Sequence, residues 1–208
     1  MIVISVYIIV ALFAPLLALH GQAQVFPMAY APWSDEFFLG TDALGRDVFS
    51  RLIYGARNTI GIAVATTLLA FLIGGSLGLM AAISRNWLDQ ALSRFVDVLM
   101  AIPSLIFALM LLSIFGSSAT NLICIIAVLD ATRVFRLTHA VVLNVVIMDY
   151  VEAAKLRGEG LIWIMRREIL PNIMPPLVAE FGLRFCFVFL TITALSFLGV
   201  GIQPPTAD

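Results

Sequence analysis

EAAKLRGEGLIWIMRREILPN, residues 152–172, is a charged stretch interrupted by Gly158 and Pro171 and set between segments apolar enough to cross a membrane. So many ionisable groups cannot rest in hydrocarbon, where each is expensive unless paired. The stretch therefore lies in water, and its use is to be sought in contact with something soluble.

Composition sets the class of the chain around it. Of its 208 residues 62% are hydrophobic and 12% charged, and the mean hydropathy is +1.05. A soluble domain carries about a quarter of its residues charged, so this is an integral membrane protein. The net charge of -1 gives no basic footprint for nucleic acid. Cys124 and Cys186 both lie in apolar runs, where a thiol behaves as a small hydrophobe, and a disulfide is not expected.

Five apolar runs are long enough to be read as spans: residues 1–19, 60–83, 98–115, 119–133 and 177–200. The first lacks the basic leader and the cleavage site of a signal peptide, which makes it a retained anchor. All five are helical by necessity, because backbone polar groups in lipid must be satisfied within the segment. Strands of a membrane barrel would alternate in polarity, and these runs do not. The fold class is all-α, a polytopic transmembrane helix bundle of about five spans.

Basic residues orient it. With Met1 in the cytoplasm, the inner connections hold Arg85, Arg94, Arg133, Arg136, Lys155, Arg157, Arg166 and Arg167, whereas the outer one holds Arg46, Arg51 and Arg57. Lys and Arg favour the cytoplasmic side, so the 152–172 stretch is cytoplasmic.

Within the second run Thr66, Ala70, Gly74, Gly78 and Ala82 recur every fourth residue. Such a stripe lets another helix approach closely, either within this chain or on a second transmembrane subunit. Ahead of that run, Asp42 and Asp47 each precede an arginine, Arg46 and Arg51, by four residues. Together with Phe49, Leu52 and Ile53, that spacing predicts an amphipathic helix at the outer face. It serves either as an entry to the span or as a surface receiving a partner or substrate.

Caps divide the charged stretch. Asp149 with Glu152 three positions later resembles a capping box, and Gly158 is a stop, giving a first short helix over 150–157. A second helix over 159–170 ends at Pro171. The product is an elbow of two short helices. Elsewhere, Glu180 and Arg184 are placed to pair on one helix face, and Asp97 and Asp130 to meet Arg94 and Arg133. His20 and His139 have no ligand-like neighbours in sequence, so no metal site is expected.

EAAKLRG followed by EILPN resembles the EAA loop of ABC-transporter permeases, carried here by Glu152, Ala153, Ala154, Gly158, Ile169, Leu170 and Pro171. Three more blocks narrow the resemblance: LGTDALGRDVFSRLIYGAR at 39–57, DVLMAIPSL at 97–105 and ALSFLGVGIQPPTAD at 194–208. Together they are similar to the C-type subunit of the dipeptide, oligopeptide and nickel branch. The resemblance implies the type I ABC importer permease fold in a bacterial inner membrane. It implies as partners a second permease subunit, two cytoplasmic ATPases and an extracytoplasmic substrate-binding protein, besides membrane lipid.

Glu152 would anchor the elbow to an ATPase, Ala153 and Ala154 would permit close approach, and Gly158 would set the bend. Ala70, Gly74, Gly78 and Ala82 are the expected helix-packing positions. The family's organisation divides the chain into residues 1–56, an N-terminal helix with the outer amphipathic segment, and 57–208, a permease domain with the coupling loop at 149–172. Relatives continue into a sixth span beyond the QPP region, which marks this chain as truncated and raises the alternative of a non-functional permease.

No G-x-x-x-x-G-K-[ST] phosphate loop is present, so no cofactor is expected and ATP belongs to the partner subunits. An intramembrane enzyme would need a constellation such as H-E-x-x-H, which is absent, so the chain is not expected to be an enzyme. An ion-coupled secondary transporter, the other alternative, would carry repeated halves with interrupted helices, and no internal repeat is found.

Overall fold

The computed structural model describes residues 2–84, 86–202 and 206. Arg85 and the QPP residues Gln203, Pro204 and Pro205 lie outside the described residues, as do Met1, Ala207 and Asp208.

Helices account for nearly all of the described order, as the long apolar runs require. They are α1 (Ile2–Leu17), α2 (Val48–Ser84), α3 (Trp87–Ala101), α4 (Ser104–Phe115), α5 (Ala119–Val146), α6 (Asp149–Leu156), α7 (Leu161–Ile164) and α8 (Leu170–Phe197). A π-helical turn, Met165–Ile169, joins α7 to α8 without a break. Two uninterrupted helices, Val48–Ser84 and Leu161–Phe197, are long and apolar enough to cross a membrane. Two bent pairs, α3 with α4 and α5 with α6, bring the number to as many as four among the described residues. At 16 residues α1 is shorter than the roughly 20 that a full crossing takes.

The second span starts earlier than its run, at Val48 and not near residue 60, and the spans differ from the runs read in the sequence in three further places. The third is not one helix over 98–115. Pro103 pushes Ile102 out of the helical region, to φ -89° and ψ 130°, and the axis turns by 88° between α3 and α4. The fourth does not end at Arg133. It continues to Val146, so Arg133 and Arg136 stand on a helix and not in a loop. The fifth does not begin near 177, because Pro171 fails to stop the chain.

The chain divides into two compact units, residues 1–65, 112–123 and 189–208 in one, residues 66–111 and 124–188 in the other. The first contains the segment between α1 and α2. Here the expected amphipathic helix is replaced by a tight loop over 39–47 that leads into α2. Gly40 and Gly45 carry positive φ of 74° and 72°, a backbone that side chains with a Cβ rarely adopt. The Asp42–Arg46 pair forms, at 2.7 Å. The Asp47–Arg51 pair does not. Asp47 instead accepts the Phe49 and Ser50 N–H groups, each at 3.2 Å, and so caps the start of α2. Arg51 turns to Asp42, at 3.8 Å. His20 Nδ1 donates to Asp47 at 3.2 Å, while the ring packs with Phe26 and Phe37.

In the second unit the small-residue stripe of α2 lies against α5. A Cβ at Gly74 would collide with the Ala131 carbonyl, and one at Gly78 would stand 2.8 Å from the Phe135 carbonyl. Ala70 packs with Ala127 and Ala131, and Ala82 with Val142 and Val146. Within this unit, then, the stripe lies in contact with α5.

Candidate functional site

The elbow is built on α6. Its N-cap is Met148, with no side-chain cap, so the capping box expected at Asp149 and Glu152 is not made. Both acids lie instead in the first turn of α6, where their charge suits the positive end of the helix dipole. The end of α6 is better defined. Gly158, at φ 80°, donates to the Lys155 carbonyl at 3.0 Å, and Glu159 donates to the Ala154 carbonyl at 3.2 Å. These two bonds form a Schellman motif, which closes a helix around a left-handed residue.

Beyond it the chain re-enters helix at Leu161. The N–H of Leu170 reaches the Met165 carbonyl, one residue further back than in an α-helix. That widened turn stands just before Pro171, which has no N–H to place and so continues the helix where a stop was expected. Leu161–Phe197 is therefore one continuous rod from the elbow through the apolar span.

Burial separates the motif residues into two sets. Ala154 and Ile169 are buried with Val151, Ile164 and Ile173, and this cluster packs on Ala82, Val142 and Val146 from the ends of α2 and α5. Ala154 is fully buried in the packing that fastens the elbow to α2 and α5. Glu152, Ala153, Gly158, Leu170 and Pro171 are exposed. Arg157 and Glu168, 3.8 Å apart, bridge the two arms.

The sequence reading missed the outward apolar residues. Leu156 is 84% exposed, Leu161 62% and Ile162 73%, with Trp163, Arg166 and Arg167 around a shallow groove beside them. Their signal was present as large hydrophobic residues inside a polar stretch, but periodicity alone does not tell outward from inward in helices this short. Large apolar side chains left exposed side by side mark a surface for contact with protein or membrane.

A second polar group lies on α5. Arg184 on α8 contacts Glu180 at 2.8 Å and Asp130 at 3.5 Å, and Asp130 is shared with Arg133 at 3.4 Å. Asp97 pairs with Arg136, not with Arg94 as expected, because α5 brings Arg136 across to α3. His139 Nε2 contacts Asp89 at 2.8 Å.

Residues 74–208 match the family described as binding-protein-dependent transport system inner membrane component, and the match includes the whole elbow. The chain belongs to this family. It is 37% identical to a di/tripeptide transport system permease protein of Pseudomonas aeruginosa, over 95% of this chain and 68% of that protein. A dipeptide transport system permease protein of Alkalihalophilus pseudofirmus is 34% identical, over 100% of this chain and 69% of its own length. A glutathione transport system permease protein of Pectobacterium atrosepticum is 34% identical, over 84% of this chain and 58% of its own. The binding-protein-dependent permease family accounts for the helical membrane fold, and the relatives are transport proteins, not enzymes.

Proposed function

We propose that the chain is a transmembrane permease subunit of an ATP-driven importer, with its elbow resting on a cytoplasmic ATPase. The observation that carries this reading is the division of the elbow into a buried half and an exposed apolar half. Ala154, Ile164 and Ile169 fasten it to α2 and α5, while Leu156, Leu161 and Ile162 face outward. A push received on that ridge passes into α8 directly, since α7, the π-turn and α8 form one rod. Rigid elements moved in this way give alternating access, with closure of the ATPase pair as the source of work.

Burial and exposure support the following roles. Glu152 and Ala153 meet the ATPase, Gly158 sets the angle between the arms, and Leu170 and Pro171 begin the lever, with Ala154 and Ile169 acting from inside. Lys155, Arg157, Arg166 and Arg167 gather on the elbow, which supports a cytoplasmic position for it and for the N-terminus. A second permease subunit, two ATPases and an extracytoplasmic binding protein complete the assembly in a bacterial inner membrane. The cargo is a short peptide, a reading supported by the relatives' names.

Crosslinking tests it. With Cys124 and Cys186 replaced by serine, Ile162→Cys in an assembly active in uptake is expected to crosslink to an ATPase subunit. An active assembly in which this position never captures an ATPase overturns the coupling role.

A further inference from the structure

At the bend between α3 and α4 the second unit holds an open cavity of about 340 Å³, within the range of small-molecule pockets. Met100, Leu105 and Leu129 give it apolar walls, and Ser104, Thr132 and Arg133 its polar ones. Two features bear on what this cavity faces. Arg133 stands near the middle of the 28-residue α5, with about 20 Å of helix on either side. Its side chain is 43% exposed, and a guanidinium left part-exposed on a membrane helix is far cheaper against water than against lipid tails. Independently, the backbone is broken at Ile102 and Pro103. Non-helical backbone at membrane depth is tolerated only inside protein or against water.

Arg133 is also loosely committed. It reaches Asp130 and Ser104 at 3.4 Å each. Were it to swing away, Asp130 would keep Arg184 at 3.5 Å, so no buried carboxylate would be stranded. A planar guanidinium with free donors matches a carboxylate by paired hydrogen bonds.

Resting on the transport reading above, we propose that this cavity is part of the wall of the water-filled pathway, and that Arg133 engages the C-terminal carboxylate of a peptide in passage. The apolar walls receive the side chain next to that carboxylate. Ser104 holds the guanidinium toward the cavity when no peptide is there.

The test uses the complete transporter in proteoliposomes, with a dipeptide and its C-terminal amide as paired substrates. Arg133→Gln is expected to lower the ratio of free-acid to amide uptake by about 10-fold or more, the worth of one charge-assisted hydrogen bond. Arg133→Lys is expected to retain most of the ratio. Equal losses for both substrates indicate a structural role and overturn the proposal, as does an unchanged ratio. Because the binding protein is the same in every variant, its own preference cancels.

A second measurement asks what the cavity faces. Ser104→Cys, with Cys124 and Cys186 replaced, is expected to react with a charged, water-borne thiol reagent. Reaction only with an apolar reagent places the cavity against lipid, and no reaction places it against another subunit; either overturns the proposal. An assembly that imports neither substrate under any condition contradicts the transport reading itself, which keeps the two failures apart.

Discussion

The N–H of Glu159 reaches back over Gly158 to the carbonyl of Ala154, at 3.2 Å, so the residue that bends the elbow and the residue buried in its core are held by one turn of backbone. Gly158 sits at φ 80° with open space where a Cβ would stand. Its substitution is therefore a matter of backbone alone. Gly158→Ala is expected to cost about 1 kcal/mol, seen as a small fall in Tm. Gly158→Pro locks φ near -65° and removes the N–H given to Lys155, so transport is expected to be lost while insertion into the membrane persists. Wild-type uptake by the proline variant would refute the coupling role of the bend.

Glu152→Lys tests contact without disturbing the core. The residue is exposed in the first turn of α6. Uptake is expected to be abolished, with insertion and Tm close to those of the wild type; an uptake assay beside a melting curve decides.

Ile169→Ala is the converse case. Ile169 is buried within the elbow cluster, and removing its side chain is expected to cost about 2–5 kcal/mol of stability through the cavity left behind. Leu156→Ser on the exposed ridge is expected to leave Tm unchanged and to weaken ATPase attachment, measured by copurification. A large Tm loss in the serine variant would show that the ridge is structural.

Gly74→Val would drive side-chain atoms into the Ala131 carbonyl on α5. Overpacking of this kind is expected to cost about 1–3 kcal/mol. Gly75, on a different face of α2, has open space around it, so Gly75→Ala serves as the control. Equal Tm values for both variants would show that α2 and α5 are not in close contact.

The loop ahead of α2 has a predictable acid limit. Burial pushes the Asp47 carboxyl up, but hydrogen bonds from Ser50, His20 and Phe49 outweigh it and hold the group below its ordinary value of 3.8. Burial also raises Asp42, and the hydrogen bonds from Arg46 and Leu44 again bring it below 3.8. Groups depressed on folding stabilise above the unfolded pKa, and that stabilisation is lost as pH falls through the folded one. Hydrogen exchange at the start of α2 is therefore expected to be slow at pH 5 and to quicken below about pH 3.8. Asp47→Asn should flatten that dependence.

His20, Asp47 and Ser50 lie together at the start of α2, yet they do not form a hydrolytic triad. Ser50 Oγ donates to Asp47 at 2.6 Å, and the His20 backbone N–H donates to Ser50 Oγ. The carboxylate is engaged by the serine directly, which leaves no imidazole base to activate the hydroxyl. The cluster caps a helix and orders a loop.

The apolar runs, the small-residue stripe and the four motif blocks determined a helical membrane permease without any coordinates. The reason is that lipid admits few backbone solutions and a polar island between spans has only water to lie in. Which side chains of the elbow point outward was decided only in three dimensions. Ala154 and Ile169 turned inward because the ends of α2 and α5 lie beneath them, a contact between residues far apart in the chain. The same holds for Pro171, read as a stop and found inside a rod just past a π-turn. Asp97 likewise chose Arg136 over the nearer Arg94 once α5 ran on past its expected end. Local sequence sets what a segment can be; the partner across the fold sets which face it shows.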